Sequence, residues 1–139
     1  MLKYPAMLRN KSYFVHSYVS SFQLACHCLA CRKSSGNTHS INLVIPSSAL
    51  HVDSSSKSAL KTWKRTGESG KEVTNNFCGT CGGLAYVELK SMEGMTIVKY
   101  GLVDVADALD ANVPQQEIYC KNLLSWEKGM PQTEKKDHT

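Results

Sequence analysis

Five of the six cysteines in this 139-residue chain fall into two tight clusters, Cys26-His27-Cys28-Leu29-Ala30-Cys31 and Cys78-Gly79-Thr80-Cys81. Thiols two and three residues apart do not pair with one another without strain. They do place sulfurs within the few ångströms that one tetrahedral zinc requires, with Zn–S of about 2.3 Å. A secreted disulfide scaffold would also have an even number of cysteines, but this spacing argues for metal. The reducing cytosol, where thiols bind metal more often than they cross-link, is therefore the expected location.

Composition bounds the alternatives. The length fits one domain and the apolar fraction of 42% supports a modest core. Apolar runs are only a few residues long, such as Leu43-Val44-Ile45, whereas a membrane-spanning helix needs roughly 20. Net charge is +4, but the longest basic runs are the pairs Arg32-Lys33, Lys64-Arg65 and Lys135-Lys136. Nucleic-acid binding needs a concentrated positive face. Residues 72–89, around the second cluster, carry Glu72 and Glu88 and no Lys or Arg. Neither nucleic acid nor a membrane is expected as a partner, and the sequence is silent on oligomeric state.

No Asp or Glu precedes Asp53. A basic, acid-poor start can mark a transit segment, but the plainer reading is the first part of a basic domain. Residues 1–21 are expected to be a divergent N-terminal segment, residues 22–128 a zinc-binding domain, and residues 129–139 a disordered polar tail.

The pattern between these limits is β-rich. Tyr13–Val19 alternates, and Ile41–Ile45 is β-branched and stops at Pro46, so both read as strands. Ala49–Val52 is a candidate short strand. Leu60–Thr66 and Lys71–Phe77 flank Gly67-Glu68-Ser69-Gly70, a hairpin with a four-residue connection. Leu84–Leu89, Met95–Leu102 and Gln116–Leu123 are further strands, and Val103–Asn112 is expected to form a helical turn or two. Ser34-Ser35-Gly36-Asn37 is a turn signal.

Cys26, Cys28 and Cys31 can converge on one metal and leave a fourth position open, as catalytic zinc requires. The adjoining Arg32 and Lys33 would favour thiolates, or are simply solvated surface charges. His27 lies between two inward-facing ligands, so its side chain is expected to point elsewhere. Cys78-Gly79-Thr80-Cys81-Gly82 is a zinc-knuckle pattern that needs two more ligands. Cys120 reads as a small core residue, Trp63 and Trp126 as packing residues, and His16, His39 and His51 as surface or packed histidines. No His, Asp or Glu is tied to the first cluster by spacing, so no catalytic base is assigned.

The string Cys26-His27-Cys28-x-x-Cys31-Arg32-Lys33-x-Ser35-Gly36, followed by Val44-Ile45-Pro46, Phe77-Cys78-Gly79-Thr80-Cys81-Gly82 and Gly101-Leu102-Val103-Asp104, resembles the glutathione-dependent formaldehyde-activating enzyme family, of the same superfamily as centromere protein V. The resemblance runs from about Cys26 to Trp126. It implies a mainly β, zinc-pinned fold of antiparallel sheets, the β-tent. It further implies an open zinc site at Cys26, Cys28 and Cys31, and that Cys78 and Cys81 supply half of a second, structural zinc site. The implied activity is that of a carbon–sulfur lyase acting on a glutathione adduct.

The chain departs from the family at one point. The family's G-x-C-x-C-G segment, which completes the structural site, has no counterpart before Cys26. Three outcomes stay open: the second zinc is absent, Cys78 and Cys81 join Cys28 and Cys31 in one four-thiolate site, or the N-terminus is a divergent start. A closed four-sulfur site would make the chain a non-catalytic zinc-binding interaction domain with a degenerate structural site.

Overall fold

The computed structural model describes residues 3–8, 11–16, 22–103, 110 and 113–138, the first two segments by their backbone alone. Eleven strands are present among them: β1 (Lys3–Leu8), β2 (Lys11–His16), β3 (Phe22–Cys26), β4 (Ser40–Pro46), β5 (Leu50–Val52), β6 (Leu60–Thr66), β7 (Glu72–Cys78), β8 (Leu84–Leu89), β9 (Met95–Lys99), β10 (Gln116–Ile118) and β11 (Glu134–Lys135). Two short helices, α1 (Leu29–Ser35) and α2 (Ser54–Lys57), join them. The fold is mainly β, as the alternating pattern predicts. No helix among the described residues is long and apolar enough to cross a membrane.

Eight strands form one sheet in the order β11-β10-β3-β4-β9-β8-β7-β6, and β1, β2 and β5 form a second. The large sheet is antiparallel from β3 to β6, whereas β10 runs parallel to both β3 and β11. Gln115 fastens the parallel edge. Its backbone N–H donates to Gln23 O at 3.0 Å, and its side-chain amide donates to Gln23 Oε1 at 2.8 Å.

Strand alternation divides the sheet's two faces. Cross-strand partners Leu43 and Val98, with Ile45, Ala49, Tyr100 and Val103, build the main core on one face. Asn42 and Lys99, and Val44 and Ile97, pair directly on the other. That second face is concave, because residues from β3 and β4 across to β6 line a single cavity.

The predicted hairpin is β6–β7, with Gly67–Gly70 between its strands. The strand expected over Met95–Leu102 stops at Lys99 and ends in a 3-10 turn, Tyr100–Leu102. That expected over Gln116–Leu123 stops at Ile118 and likewise passes into a 3-10 turn, Cys120–Asn122. The expected helical turns over 103–112 fall almost wholly outside the described residues, as do residues 17–21.

Trp63 and Trp126 are not packing residues. They are 57% and 71% exposed. Trp63 stands on β6, an edge strand of the large sheet, so its side chain can turn to solvent. The polar segment after Gly129, whose composition predicts disorder, instead forms β11 and is bonded to a buried carboxylate on β10. Hydrogen bonding to one charged group orders it where hydrophobic burial would not.

Candidate metal centre

The first cysteine cluster sits where β3 turns into α1. Cys26 ends the strand, and His27 keeps extended pairing by donating its N–H to Ile118 O at 3.0 Å. Cys28 is the helix N-cap, with φ −61° and ψ 152°. Three extended residues in a row place the first and third side chains on one side and the middle one on the other. One helical turn then carries Cys31 back over Cys28, and its N–H donates to Cys28 Sγ at 3.3 Å. The thiol therefore does the capping work of a serine or aspartate. Gly36 closes α1 in the left-handed region, at φ 64°.

The three sulfurs all lie within 4.8 Å of one another, and all the cysteines are free thiols. A tetrahedral zinc with Zn–S of about 2.3 Å spaces its sulfurs about 3.8 Å apart, so the donor set fits a metal ion with small side-chain adjustments. Hydrogen bonds from the Cys26 and Cys31 thiols, with the Cys31 and Ala30 N–H groups, hold the Cys28 thiol well below its usual range. The hydrogen bonds to Cys28 and Cys31, with burial, push Cys26 up.

The cation facing this cluster is Lys99. Burial pushes its ammonium down, and attraction to Cys31, Cys26 and Cys28 opposes that shift. Its Nζ donates to Ser40 Oγ and Asn42 Oδ1, both at 2.8 Å. Arg32 and Lys33, the cations adjacent in sequence, lie in the last turn of α1, where they complement the helix dipole.

The thiols form one wall of a cavity of about 310 Å³. Val44, Val73, Val87 and Ile97 give it an apolar floor, while Lys99 and Arg65 add cationic groups. Such a space, mostly apolar with a few convergent polar groups, is the usual form of a small-molecule site.

The second cluster stays apart from the first. Cys78 is buried at the end of β7 and Cys81 is exposed. Cys78 N–H donates to Gly83 O at 2.9 Å, and Gly82 N–H donates to Cys78 O at 2.8 Å. The Cys81 and Thr80 N–H groups pull the Cys78 thiol down from its usual range. Gly79 lies against the preceding loop, where a Cβ would stand 3.1 Å from Ala59 O. Among the described residues no further His, Cys, Asp or Glu joins Cys78 and Cys81 in a metal-sized group, and neither of them joins Cys28 and Cys31. Cys120 is half-buried, with its thiol donating to Glu117 O at 3.4 Å.

The reverse side of the first cluster holds residues that spacing does not reveal. His27 is fully buried and its Nε2 donates to Glu117 Oε1 at 3.0 Å. Glu117 Oε2 accepts from Thr133 Oγ1 at 2.7 Å and Met130 N at 2.9 Å, with Lys135 Nζ at 3.3 Å. Burial alone would raise the Glu117 carboxyl, but the hydrogen bonds from Thr133, His27, Met130 and Lys135 outweigh it and lower it to about 2. Beside this pair, Glu127 Oε1 accepts from Thr38 Oγ1 at 2.7 Å and from His39 Nδ1 at 3.2 Å. His39, expected to be a surface or packed residue, is thus part of a polar cluster. The signal for His27 was present in the cysteine-histidine-cysteine alternation. Its partners, some 90 residues downstream, left no local mark.

Residues 13–122 match the family described as glutathione-dependent formaldehyde-activating enzyme. Among solved structures, a Rhodobacter sphaeroides protein determined as a Northeast Structural Genomics target has a similar fold, with a TM-score of 0.56 and 16% identity. The match covers 81% of this chain and 97% of that one. At that identity the likeness speaks for the fold alone. No curated protein matches the chain.

Proposed function

This chain belongs to the glutathione-dependent formaldehyde-activating enzyme family, and on that footing we propose that it is a zinc-dependent carbon–sulfur lyase. Its substrate would be the adduct of a glutathione-like thiol with a small electrophile. The observation that carries this reading is the convergence of Cys26, Cys28 and Cys31 on the wall of the cavity that Lys99 and Arg65 also line.

The three cysteines, which line the cavity, would hold the metal there. Zinc there would supply Lewis acidity toward a substrate sulfur or an adduct oxygen. In the lyase direction the adduct's hydroxyl gives up its proton to solvent at the cavity mouth, the carbonyl forms, and the carbon–sulfur electron pair leaves with sulfur as thiolate. Lys99, fixed by Ser40 and Asn42, sets positive charge beside the thiols that would otherwise repel that departing anion. Arg65 offers a bidentate partner for a carboxylate of the thiol carrier. The apolar floor excludes water from the electrophilic carbon.

A second reading rests on the knuckle. Among the described residues no third ligand joins Cys78 and Cys81. This supports a non-catalytic zinc-binding interaction domain with a degenerate structural site.

Zinc content and turnover separate the two. The native protein is assayed with glutathione and a panel of small aldehydes, alongside Cys28→Ser and Cys81→Ser. The enzyme reading expects turnover that Cys28→Ser abolishes and Cys81→Ser retains, with a change in the cobalt-substituted spectrum on adding glutathione. Absence of both turnover and spectral response overturns the enzyme reading.

A further inference from the structure

Behind the thiol cluster, His27, His39 and Glu127 present ligand-type atoms that all lie within 4.8 Å of one another. Two of the cluster's polar atoms are buried without a hydrogen-bond partner, Nδ1 of His27 and Oε2 of Glu127. They face each other across 4.0 Å, beyond hydrogen-bond range. His27 is 0% exposed. Buried polar groups are ordinarily satisfied, so an occupant that satisfies both is favoured.

The chemistry of the gap narrows the occupant. Glu117 Oε1 holds His27 Nε2, so Nδ1 is the ring nitrogen left to face the second carboxylate. Neither Nδ1 nor Glu127 Oε2 has a hydrogen-bond partner, and a cation between them satisfies both. Metal–nitrogen and metal–oxygen bonds of about 2.0–2.2 Å at the tetrahedral angle hold their donor atoms roughly 3.3–3.6 Å apart, so Nδ1 and Oε2 would close on an ion by about half an ångström from their 4.0 Å separation. Two imidazoles and a carboxylate suit zinc and similar borderline divalent metals.

The surroundings agree. Glu117 holds the far nitrogen of His27 as outer-shell carboxylates hold metal-binding histidines. Thr38 orients Glu127 through its other oxygen. His39 is 22% exposed and lines a groove with Ser35, Asn37, Ser40 and Lys99, so an ion can arrive without crossing the thiol cavity.

We propose that His27, His39 and Glu127 form a second divalent-cation site, built on the reverse side of the turn whose forward side carries Cys26 and Cys28. It is independent of the lyase reading.

The test is metal stoichiometry on the folded full-length protein, titrated with zinc and separately with cobalt. Glu127→Gln keeps the side chain's size and its bond from Thr38, and His39→Ala alters a partly exposed residue. Each is expected to lose one ion per chain, or to weaken that ion at least tenfold, while the sulfur-to-cobalt charge-transfer absorption persists. Unchanged ion counts in both variants would show that the gap holds only water or a proton, and would overturn the site. So would loss of the sulfur absorption together with the ion, since the effect would then lie in the thiol centre.

Discussion

Glu117 accepts a hydrogen bond from His27 Nε2 at 3.0 Å, with both side chains only 1% exposed. The pair joins the cysteine turn at the end of β3 to the parallel strand β10 and, through Thr133 and Met130, to the segment that precedes β11. Removing one partner of such a buried pair strands the other. Glu117→Ala is expected to cost about 3–5 kcal/mol, read as a lower urea midpoint. Glu117→Gln, which preserves volume and an acceptor, should cost less. Equal midpoints for Glu117→Ala and the native protein would show that the pair carries no stability.

The same carboxylate sets an acid limit. Its pKa is lowered from 4.5 to about 2 in the fold. A depressed carboxyl contributes stability above its unfolded pKa and loses it as pH falls toward the folded one. Stability should thus decline between pH 4.5 and about pH 2. Urea midpoints measured across that window should fall less steeply in Glu117→Gln than in the native protein.

Lys99 is the cation that faces the thiols, ahead of Arg32 and Lys33, which follow Cys31 in sequence. Lys99→Met removes charge-assisted hydrogen bonds to Ser40 and Asn42, worth about 1.5–3 kcal/mol together with the field at the cluster. Chelator competition should show zinc held at least about tenfold more weakly. Lys33→Ala, at an exposed position, should leave the affinity unchanged. The opposite ranking would return the role to the helix cations.

Gly36 ends α1 at φ 64°, and a Cβ there would meet nothing within 4 Å. Gly36→Ala therefore pays only for left-handed backbone, about 1 kcal/mol. For a domain of this size that lowers Tm by roughly 3–5 °C. A calorimetric scan with no shift would show that the helix end relaxes freely.

Much of this was readable from local chemistry. Cysteine spacing defined the thiol centre, alternation in Cys26-His27-Cys28 turned the imidazole away from it, and Gly67-Glu68-Ser69-Gly70 marked the hairpin. What escaped was non-local. Glu117 and Glu127 look like ordinary surface acids in sequence, and only the parallel docking of β10 on β3 brings Glu117 under His27. Lys99 gained its role from its cross-strand partner Asn42, a pairing fixed by sheet register. The two tryptophans misled because size favours burial on average, whereas Trp63 lies on an edge strand with a neighbouring strand on one side only.

The parallel edge also has a temporal meaning. The thiols at 26–31 leave the ribosome well before Glu117, which lies 90 residues beyond His27, and before Thr133, 16 residues further on. At roughly 5–20 residues per second, about 5–20 s separate the two ends of that contact during translation. A nascent chain therefore exposes its reactive sulfurs long before the acid that braces their turn has been made. For that interval, early capture of an ion by the thiols themselves would be their main protection against oxidation.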